Sequence, residues 1–180
     1  MSRPRLATCS LTGCFGCHMS LLDIDERLVE LMGMAELDRS PFDDKKSFDG
    51  PVDVGFIEGG CSDAQNIRVL RQFRAHCRIL VSVGACAIYG GVPAMRNTIG
   101  LRECLEEAYV NGPTVAPGSR IPDDPELPLL LDRVYPSHEI VRVDYVLPGC
   151  PPSGDAIWEG LRALLTGREP TLPYQLLKYE

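Results

Sequence analysis

Four of the eight cysteines stand in short loops rich in glycine or proline, and each of these loops follows a predicted β-strand. They are Cys14, Cys17, Cys86 and Cys150. Glycine allows the backbone to approach an inorganic core closely, and proline fixes the direction of a turn. Cysteine thiolates are the usual ligands of iron–sulfur clusters. The sequence therefore predicts a cluster-binding site built from three loops.

The spacing of these cysteines limits the kind of metal centre. Cys14 and Cys17 form the close pair CFGC, Cys86 follows after 69 residues within GACAIYGG, and Cys150 after a further 64 within LPGCPP. Structural zinc sites usually draw on two close pairs. A cluster with four cysteine ligands tolerates dispersed ligands, because the fold gathers them. The spacing favours a cluster, with a zinc site and plain buried thiols as the alternatives.

Composition narrows the class of protein. With 180 residues and 44% hydrophobic content, the chain is long enough for one domain, 1–180, with a proper core. A net charge of −7 and a pI near 5.0 argue against nucleic-acid and anionic-membrane partners. No apolar run is long enough for a signal sequence or a membrane span, so we expect a cytoplasmic protein. Thiols are kept reduced there, and the eight cysteines do not predict a disulfide framework.

The elements that must position the thiols follow from local patterns. Apolar runs predict strands over 5–10, 53–58, 79–83 and 141–147. Helical patterns extend from 18 to about 37, from Ser62 onwards, over 101–110 and from 153 to about 165. This alternation predicts an α/β fold of the flavodoxin-like kind, a mostly parallel sheet with helices on both faces. Ligands of such sheets collect beyond the carboxyl ends of the strands, where all four cysteines lie.

Two further segments carry local signals. Ser62, with Gln65 three residues later, has the form of a capping box that would start the second helix. From 111 to 136 the chain holds six of its 15 prolines, so we expect no regular element through most of it. A loop of this length in a compact domain is usually functional or an interaction arm.

The remaining cysteines require separate interpretation. Cys61 follows two glycines at another strand end, and is either a substitute ligand or, as we favour, a small residue beside the site. Cys9, Cys77 and Cys104 fall within or beside predicted strands and helices, so we expect them in the core.

Two titratable residues near the cysteines also have two interpretations. Glu58 ends an apolar strand and is either a proton-relay carboxylate or, as we favour, the partner of a nearby donor. His18 directly follows Cys17 and either donates a hydrogen bond towards cluster sulfur or meets solvent or a backbone group.

Taken together in order and context, the motifs resemble those of the small, electron-transferring subunit of nickel–iron hydrogenases. The resemblance rests on CFGC, on the Gly-x-Cys loop that ends in YGG at 89–91, and on GCPP at 149–152, and it extends from residue 5 to about 165. The quinone-proximal cluster subunit of respiratory NADH dehydrogenase is similar, but its first two cysteines are adjacent. Here Phe15 and Gly16 separate them, which favours the hydrogenase side.

Within that family the sequence looks like the small subunit of a soluble, cytoplasmic, NAD-linked hydrogenase, since no cysteine or histidine follows Cys150. The resemblance implies one [4Fe-4S] cluster held by Cys14, Cys17, Cys86 and Cys150, with no catalytic residue in this chain. It also implies a large subunit with the nickel–iron centre, and diaphorase subunits with FMN, further iron–sulfur clusters and NAD. The expected function is electron relay between these partners.

Two other functions remain open on the sequence. The first is a cluster-bearing subunit of a related NADH:quinone or other cofactor-linked oxidoreductase. The second belongs to a different class, a binding module stabilised by zinc.

Overall fold

A five-stranded parallel sheet in the order β2-β1-β3-β5-β7 organises the computed structural model, which describes residues 3–179. Its strands are β1 (Arg5–Ser10), β2 (Glu36–Leu37), β3 (Val52–Glu58), β5 (Cys77–Val83) and β7 (Tyr145–Leu147). β4 (Cys61–Asp63) and β6 (Leu130–Tyr135) form a separate antiparallel pair.

Seven α-helices accompany the strands in the described part of the chain. They are α1 (Gly16–Leu22), α2 (Arg27–Met34), α3 (Ala64–His76), α4 (Gly84–Tyr89), α5 (Leu101–Glu106), α6 (Ser137–Ile140) and α7 (Gly154–Leu165). Val92–Thr98 and Tyr174–Leu176 are 3₁₀-helical, and Glu107–Asn111 is a π-helical turn that extends α5. Among residues 3–179 no helix combines the length and the apolar character needed to cross a bilayer.

The order of the parallel strands is that of a flavodoxin-like sheet. If the five parallel strands are numbered 1 to 5 along the chain, they lie across the sheet in the order 2-1-3-4-5. The predicted α/β fold with a mostly parallel sheet is therefore confirmed.

Helices cover both faces of this sheet, as predicted. Leu6, Phe56 and Val81 face one core, which α1, α2 and α7 complete. Their sequence neighbours Ala7 and Ile57 face a second core with α3. Each large apolar side chain buried in this way contributes about 1.5–3 kcal/mol relative to exposure.

The helix predicted from 18 to about 37 is wrong as one continuous element. The structure has two helices, α1 and α2, and then the short strand β2. Asp25 between them adopts a left-handed conformation with φ of 54°. The start of α7 packs against the end of α1 next to this break, where a Cβ on Gly154 would lie 3.1 Å from the carbonyl oxygen of Asp23.

The predicted capping box also assigns the N-cap of the second helix to the wrong residue, Ser62. The N-cap of α3 is Asp63, whose Oδ1 accepts a hydrogen bond from the Asn66 amide at 2.8 Å. Ser62 is held instead in β4, which pairs with β6. The partner strand β6 lies about 70 residues further along the chain, so local sequence patterns cannot predict this pairing.

The arm predicted at 111–136 is irregular only in its first part. Residues 112–129 contain no helix or strand, but 130–135 form β6. The strand predicted at 141–147 is shorter in the structure, because residues 141–144 after α6 form neither helix nor strand and β7 begins only at Tyr145.

Candidate iron–sulfur site

The segments that carry the candidate thiols all begin at the carboxyl-terminal edge of the sheet. Ser10, Glu58, Val83 and Leu147 end their strands and are paired in register across the four neighbours β1, β3, β5 and β7. Parallel strands point the same way, so the chain leaves all four at the same edge. The structure thus brings the cysteine loops together, as the sequence predicts.

Backbone hydrogen bonds hold these loops to one another. The Ala85 amide, beside Cys86, donates to the carbonyl oxygen of Gly149, beside Cys150, at 2.9 Å. On the other side Thr12 and Gly60 exchange two hydrogen bonds of 3.0 and 2.9 Å, which fix the loop before Cys14. The loops therefore form one connected rim.

The Ser20 hydroxyl in α1 donates to the carbonyl oxygen of Pro152 at 2.5 Å. This bond joins α1, the helix that contains Cys17, to the loop of Cys150. The first and last of the cysteine loops are thus tied together across more than 130 residues of sequence.

The four thiols form one electrostatic group. Burial raises the pKa of Cys86, and negative charge on Cys150 and Cys14 would raise it further. Burial likewise raises the pKa of Cys17 well above its usual range, with additional effects from Glu58, Cys86 and Cys14. Each thiol is thus close to at least one other. A positively charged metal core would reverse the effect, because it stabilises thiolates.

The thiols differ in exposure. Cys14 and Cys150 are exposed, whereas Cys17 and Cys86 are half-buried. Within 3–179 no three or more His, Cys, Asp or Glu side chains form a group that could hold a single metal ion. The site is therefore open on the side of Cys14 and Cys150 and closed on the side of Cys17.

At three glycines the backbone passes so close to a thiol that a side chain there would crowd the sulfur. A Cβ on Gly84, where φ is 80°, would overlap the Cys17 Sγ, and one on Gly91 would lie 3.0 Å from the Cys86 Sγ. A Cβ on Gly16 would approach the Cys14 Sγ to 3.1 Å. Only glycine lets the backbone approach the thiols this closely, and four cysteine donors held in this way fit an iron–sulfur cluster.

Cys86 lies in a helix and not in the predicted loop. The short helix α4 starts at Gly84, directly after β5, and ends at Gly90, which has φ of 94°. Glycines at both ends allow this abrupt entry and exit. The glycines that suggested a loop are therefore the boundaries of a helix of six residues.

The Glu58 carboxylate lies beneath the Cys17 side of the site and is only 2% exposed. Its Oε1 accepts a hydrogen bond from the Ser10 hydroxyl at 2.7 Å, and its Oε2 accepts one from the His18 amide at 2.8 Å. Burial alone would raise the pKa of Glu58, but the contacts with His18 and Ser10 outweigh it and lower the pKa. The favoured interpretation, a carboxylate paired with nearby donors, agrees with these bonds.

His18 is fully buried, contrary to the solvent contact considered from the sequence, although its backbone amide does bond to Glu58. The imidazole stacks on Phe15 with ring centroids 4.8 Å apart, and Phe42 and Phe56 meet it edge-on at 5.4 and 5.6 Å. Its Nδ1 lies 3.2 Å from Oε2 of Glu58, but not in alignment for a hydrogen bond. Aromatic rings thus enclose the imidazole directly after Cys17.

Phe15 lies between the first two thiols in an unfavourable conformation. Its φ of 67° is left-handed, which costs a residue with a side chain about 1–2 kcal/mol. Stacking on His18 helps to hold it there. Such strain concentrates at functional sites.

The other cysteines lie away from this group. Burial raises the pKa of Cys9, Cys61 and Cys77 to about 12 in each case, and all three belong to the second core. Cys61 is fully buried in β4 and is not among the charges that act on Cys17 or Cys86. Cys104 is only half-buried on α5, so its predicted core position holds in part.

Sequence reasoning missed two contributors to the site. Ser10 could have been found, because it ends β1 in register with Glu58. Phe42 could not, since it lies in a stretch of charged and turn residues that predicts a solvated connection. It reaches His18 because Ser40, in the same stretch, bonds to Thr8 of β1 at 2.7 Å.

Three comparisons with known proteins find similarity to subunits of NADH- or NAD-linked oxidoreductases. The family model described as NADH ubiquinone oxidoreductase, 20 Kd subunit, matches residues 14–164. The NAD-reducing hydrogenase HoxS subunit delta of Cupriavidus necator is 48% identical, with 98% of this chain and 85% of that protein covered. A crystal structure of an NAD+-reducing NiFe hydrogenase in the H2-reduced state contains a chain that is 54% identical, with a TM-score of 0.96 and coverage of 99% and 100%.

More distant relatives are longer. One of them, from the F420-non-reducing hydrogenase of Methanothermobacter thermautotrophicus, is 37% identical over 94% of this chain. The chain spans only 56% of the length of that protein.

Proposed function

The chain belongs to the NADH ubiquinone oxidoreductase 20 Kd subunit family, and on this basis we propose that it is the electron-transferring small subunit of an NAD-reducing nickel–iron hydrogenase. Its resemblance to hydrogenase small subunits is confirmed by the HoxS subunit delta and by the NAD+-reducing enzyme of known structure. The observation that carries the proposal is the set of strand ends in register, because Cys14, Cys17, Cys86 and Cys150 all follow these ends at one edge of the sheet.

These four thiolates bind the iron of one [4Fe-4S] cluster. When bound, such a cluster accepts and passes on electrons at a potential that its surroundings set. A tetrahedral zinc ion, with Zn–S bonds of about 2.3 Å, would need all its sulfurs close around one point. In this chain only Cys14 and Cys17 form a close pair in sequence, whereas structural zinc sites usually draw on two close pairs.

The rest of the site controls what surrounds the cluster. Phe15, Phe42 and Phe56 enclose the buried ring of His18, which directly follows Cys17, and the buried Glu58 carboxylate holds two donors in place. Low solvent access and fixed hydrogen bonds are the means by which a protein tunes a cluster potential. On the opposite side Cys14 and Cys150 are exposed, so electrons enter or leave there, towards a partner.

The partner that covers this open side is the hydrogenase large subunit with its nickel–iron centre. Exposed apolar side chains follow Cys86 in sequence, and they include Tyr89 at 53%, Val92 at 70% and Met95 at 69% exposure. A surface of this kind beside a redox site is suited to a protein interface. Diaphorase subunits with FMN, further clusters and NAD complete the cytoplasmic assembly, and this chain, 1–180, supplies a single cluster-binding domain.

A second candidate is a cluster subunit of a NADH:quinone enzyme, which the description of the family favours. The separation of Cys14 and Cys17 by two residues and the relatives at 48% and 54% identity favour the hydrogenase. The two functions differ in the partners and in the electron acceptor.

Copurification separates them. The tagged chain should be isolated anaerobically from cells that express its native partners, and nickel, iron, zinc and sulfide counted. We expect a hydrogenase large subunit, nickel, and hydrogen-dependent reduction of NAD. A complex without nickel that transfers electrons from NADH to quinone would contradict the proposal.

A further inference from the structure

An apolar groove lies between α5 with its π-helical turn and the irregular segment 112–129. It has a volume of about 520 Å³. Its lining combines leucines, prolines and one tyrosine with two aspartates: Leu101, Leu105, Tyr109, Pro122, Asp123, Asp124, Leu127, Pro128, Leu129 and Leu130. None of these residues belongs to the cysteine site.

The apolar walls of this groove are exposed. Leu129 is 75% exposed, Leu127 52% and Tyr109 44%. Leu101, Leu105 and Tyr109 recur at intervals of four residues, so they form one stripe along the groove. Contiguous exposed apolar surface bounded by polar residues marks an interaction site.

The segment that forms this groove carries an excess of negative charge. Residues 101–132 contain seven acidic and two basic residues, a net charge of −5 out of −7 for the whole chain. Asp123 is 78% exposed, and its contact with Arg120 is long, at 3.9 Å. The rim therefore presents carboxylates that are free to meet a basic partner.

The groove is also held rigidly next to the segment that follows Cys86. Asn97, in the 3₁₀ segment, both accepts from the Val134 amide at 2.7 Å and donates to its carbonyl oxygen at 2.9 Å. Arg96 donates to the carbonyl oxygen of Leu131 at 2.8 Å. These bonds fix β6, which continues the groove wall from Leu130. A preformed wall lowers the entropy cost of binding.

We propose that this groove binds a basic amphipathic helix of another subunit in the assembly. The inference rests on the proposed function for the existence of that assembly. Apolar side chains on one face of the helix fill the space between Leu105 and Leu127, and flanking Lys or Arg residues meet Asp123 and Glu126. This is the helix-in-groove mode of recognition, with charge complementarity setting specificity. The negative rim is unsuited to nucleic acid or to an anionic membrane.

Photo-crosslinking in the complete complex tests the contact. p-Benzoylphenylalanine replaces Tyr109 in the groove or, as a matched exposed control, Tyr174, which is 80% exposed in the C-terminal segment. We expect the probe at position 109 to crosslink to one peptide of one partner subunit, with Lys or Arg beside apolar residues. The probe at 174 should not label that peptide. A crosslink to a second copy of this chain, or none to any partner, would overturn the proposal.

Charge reversal tests the electrostatic part. Asp123→Lys with Glu126→Lys should raise the dissociation constant for that subunit at least about tenfold at low salt. The control is Asp44→Lys with Glu139→Lys, two exposed carboxylates outside the segment, and it should change the constant less than about twofold. Equal effects of both pairs would show that net charge, and not the groove, matters.

Failure of this inference is distinguishable from failure of the proposed function. The Asp123 and Glu126 variant should retain the iron and sulfide of the wild-type chain, because neither residue is near the cysteines along the chain or in the described contacts. A chain that never carries a cluster would refute the proposed function. A chain that carries one but binds all subunits equally well after charge reversal would refute only the groove.

Discussion

Glycines decide at single positions whether a thiol can keep its place beside the backbone. Gly84 is the sharpest case, because its φ of 80° is left-handed and an added Cβ would overlap the Cys17 Sγ. Two independent requirements, conformation and space, thus meet at one residue. At Gly160 in α7, by contrast, nothing lies within 4 Å of an added Cβ.

Gly84→Ala should therefore impair the site. We expect a destabilisation of about 1–3 kcal/mol from the backbone conformation, together with reduced iron and sulfide content because the Cys17 thiol must move. Chemical denaturation and metal analysis measure the two effects. The matched Gly160→Ala should keep the cluster and be neutral or more stable by about 0.5–1 kcal/mol, since Ala favours a helix. Normal cluster content in Gly84→Ala would show that this glycine is not needed for space.

At the level of elements, strands with strong local signals were predictable. β1 and β3 were found within one residue of their ends and β5 within two, because an apolar run followed by glycine or a turn is a local feature. The Ser153 cap of α7 is also local, and its hydroxyl accepts from the Ala156 amide as expected. These elements position the cysteine loops, so the site was predictable in outline.

Other elements depend on contacts distant in sequence. The break between α1 and α2 lies next to the start of α7, and the β4–β6 pair joins Cys61 to Tyr135. The burial of His18 needs Phe42, which reaches it through the Ser40 turn. Local patterns contain none of this information, since each partner is chosen by the tertiary fold.

Asp144, directly before the edge strand β7, holds that strand beside β5 through a charged side chain. Its Oδ2 accepts from the Leu80 amide at 2.8 Å and from Arg74 at 2.6 Å. Burial alone would raise the pKa of Asp144, but Arg74 and the Leu80 amide lower it overall. The ionised carboxylate therefore stabilises the folded state.

Asp144→Asn should cost about 1–2 kcal/mol in the free energy of unfolding at pH 7, because a charge-assisted bond is lost. A lowered folded pKa means that the stabilisation is complete above the ordinary value of 3.8 and disappears as pH falls through the folded value. The difference between wild type and variant should thus shrink below about pH 4 in urea titrations. The exposed Asp44→Asn serves as control. A difference that grows in acid would contradict this account.

The whole molecule exposes apolar surface that a stable monomer would normally bury. Val92 and Met95 are both about 70% exposed in the segment after Cys86, and Tyr89 precedes them. We expect the isolated chain to self-associate in size-exclusion chromatography and to become monodisperse when bound to its large subunit.

Val92→Lys with Met95→Lys should reduce that self-association and also weaken binding of the large subunit. The two effects should appear together, because the same surface is responsible for both. A monodisperse, stable monomer of the wild-type chain in isolation would contradict the prediction.

The central claim is that thiols from three separate segments of the chain hold one iron–sulfur cluster. The most direct test replaces Cys14, Cys17, Cys86 or Cys150 by Ala in the anaerobically purified complex and measures iron, acid-labile sulfide and the EPR signal of the reduced cluster. Each variant should lose or convert one cluster and stop hydrogen-driven NAD reduction, whereas Cys104→Ala should retain both. A full signal and full activity in Cys150→Ala, or zinc without sulfide in the wild-type chain, would contradict the account.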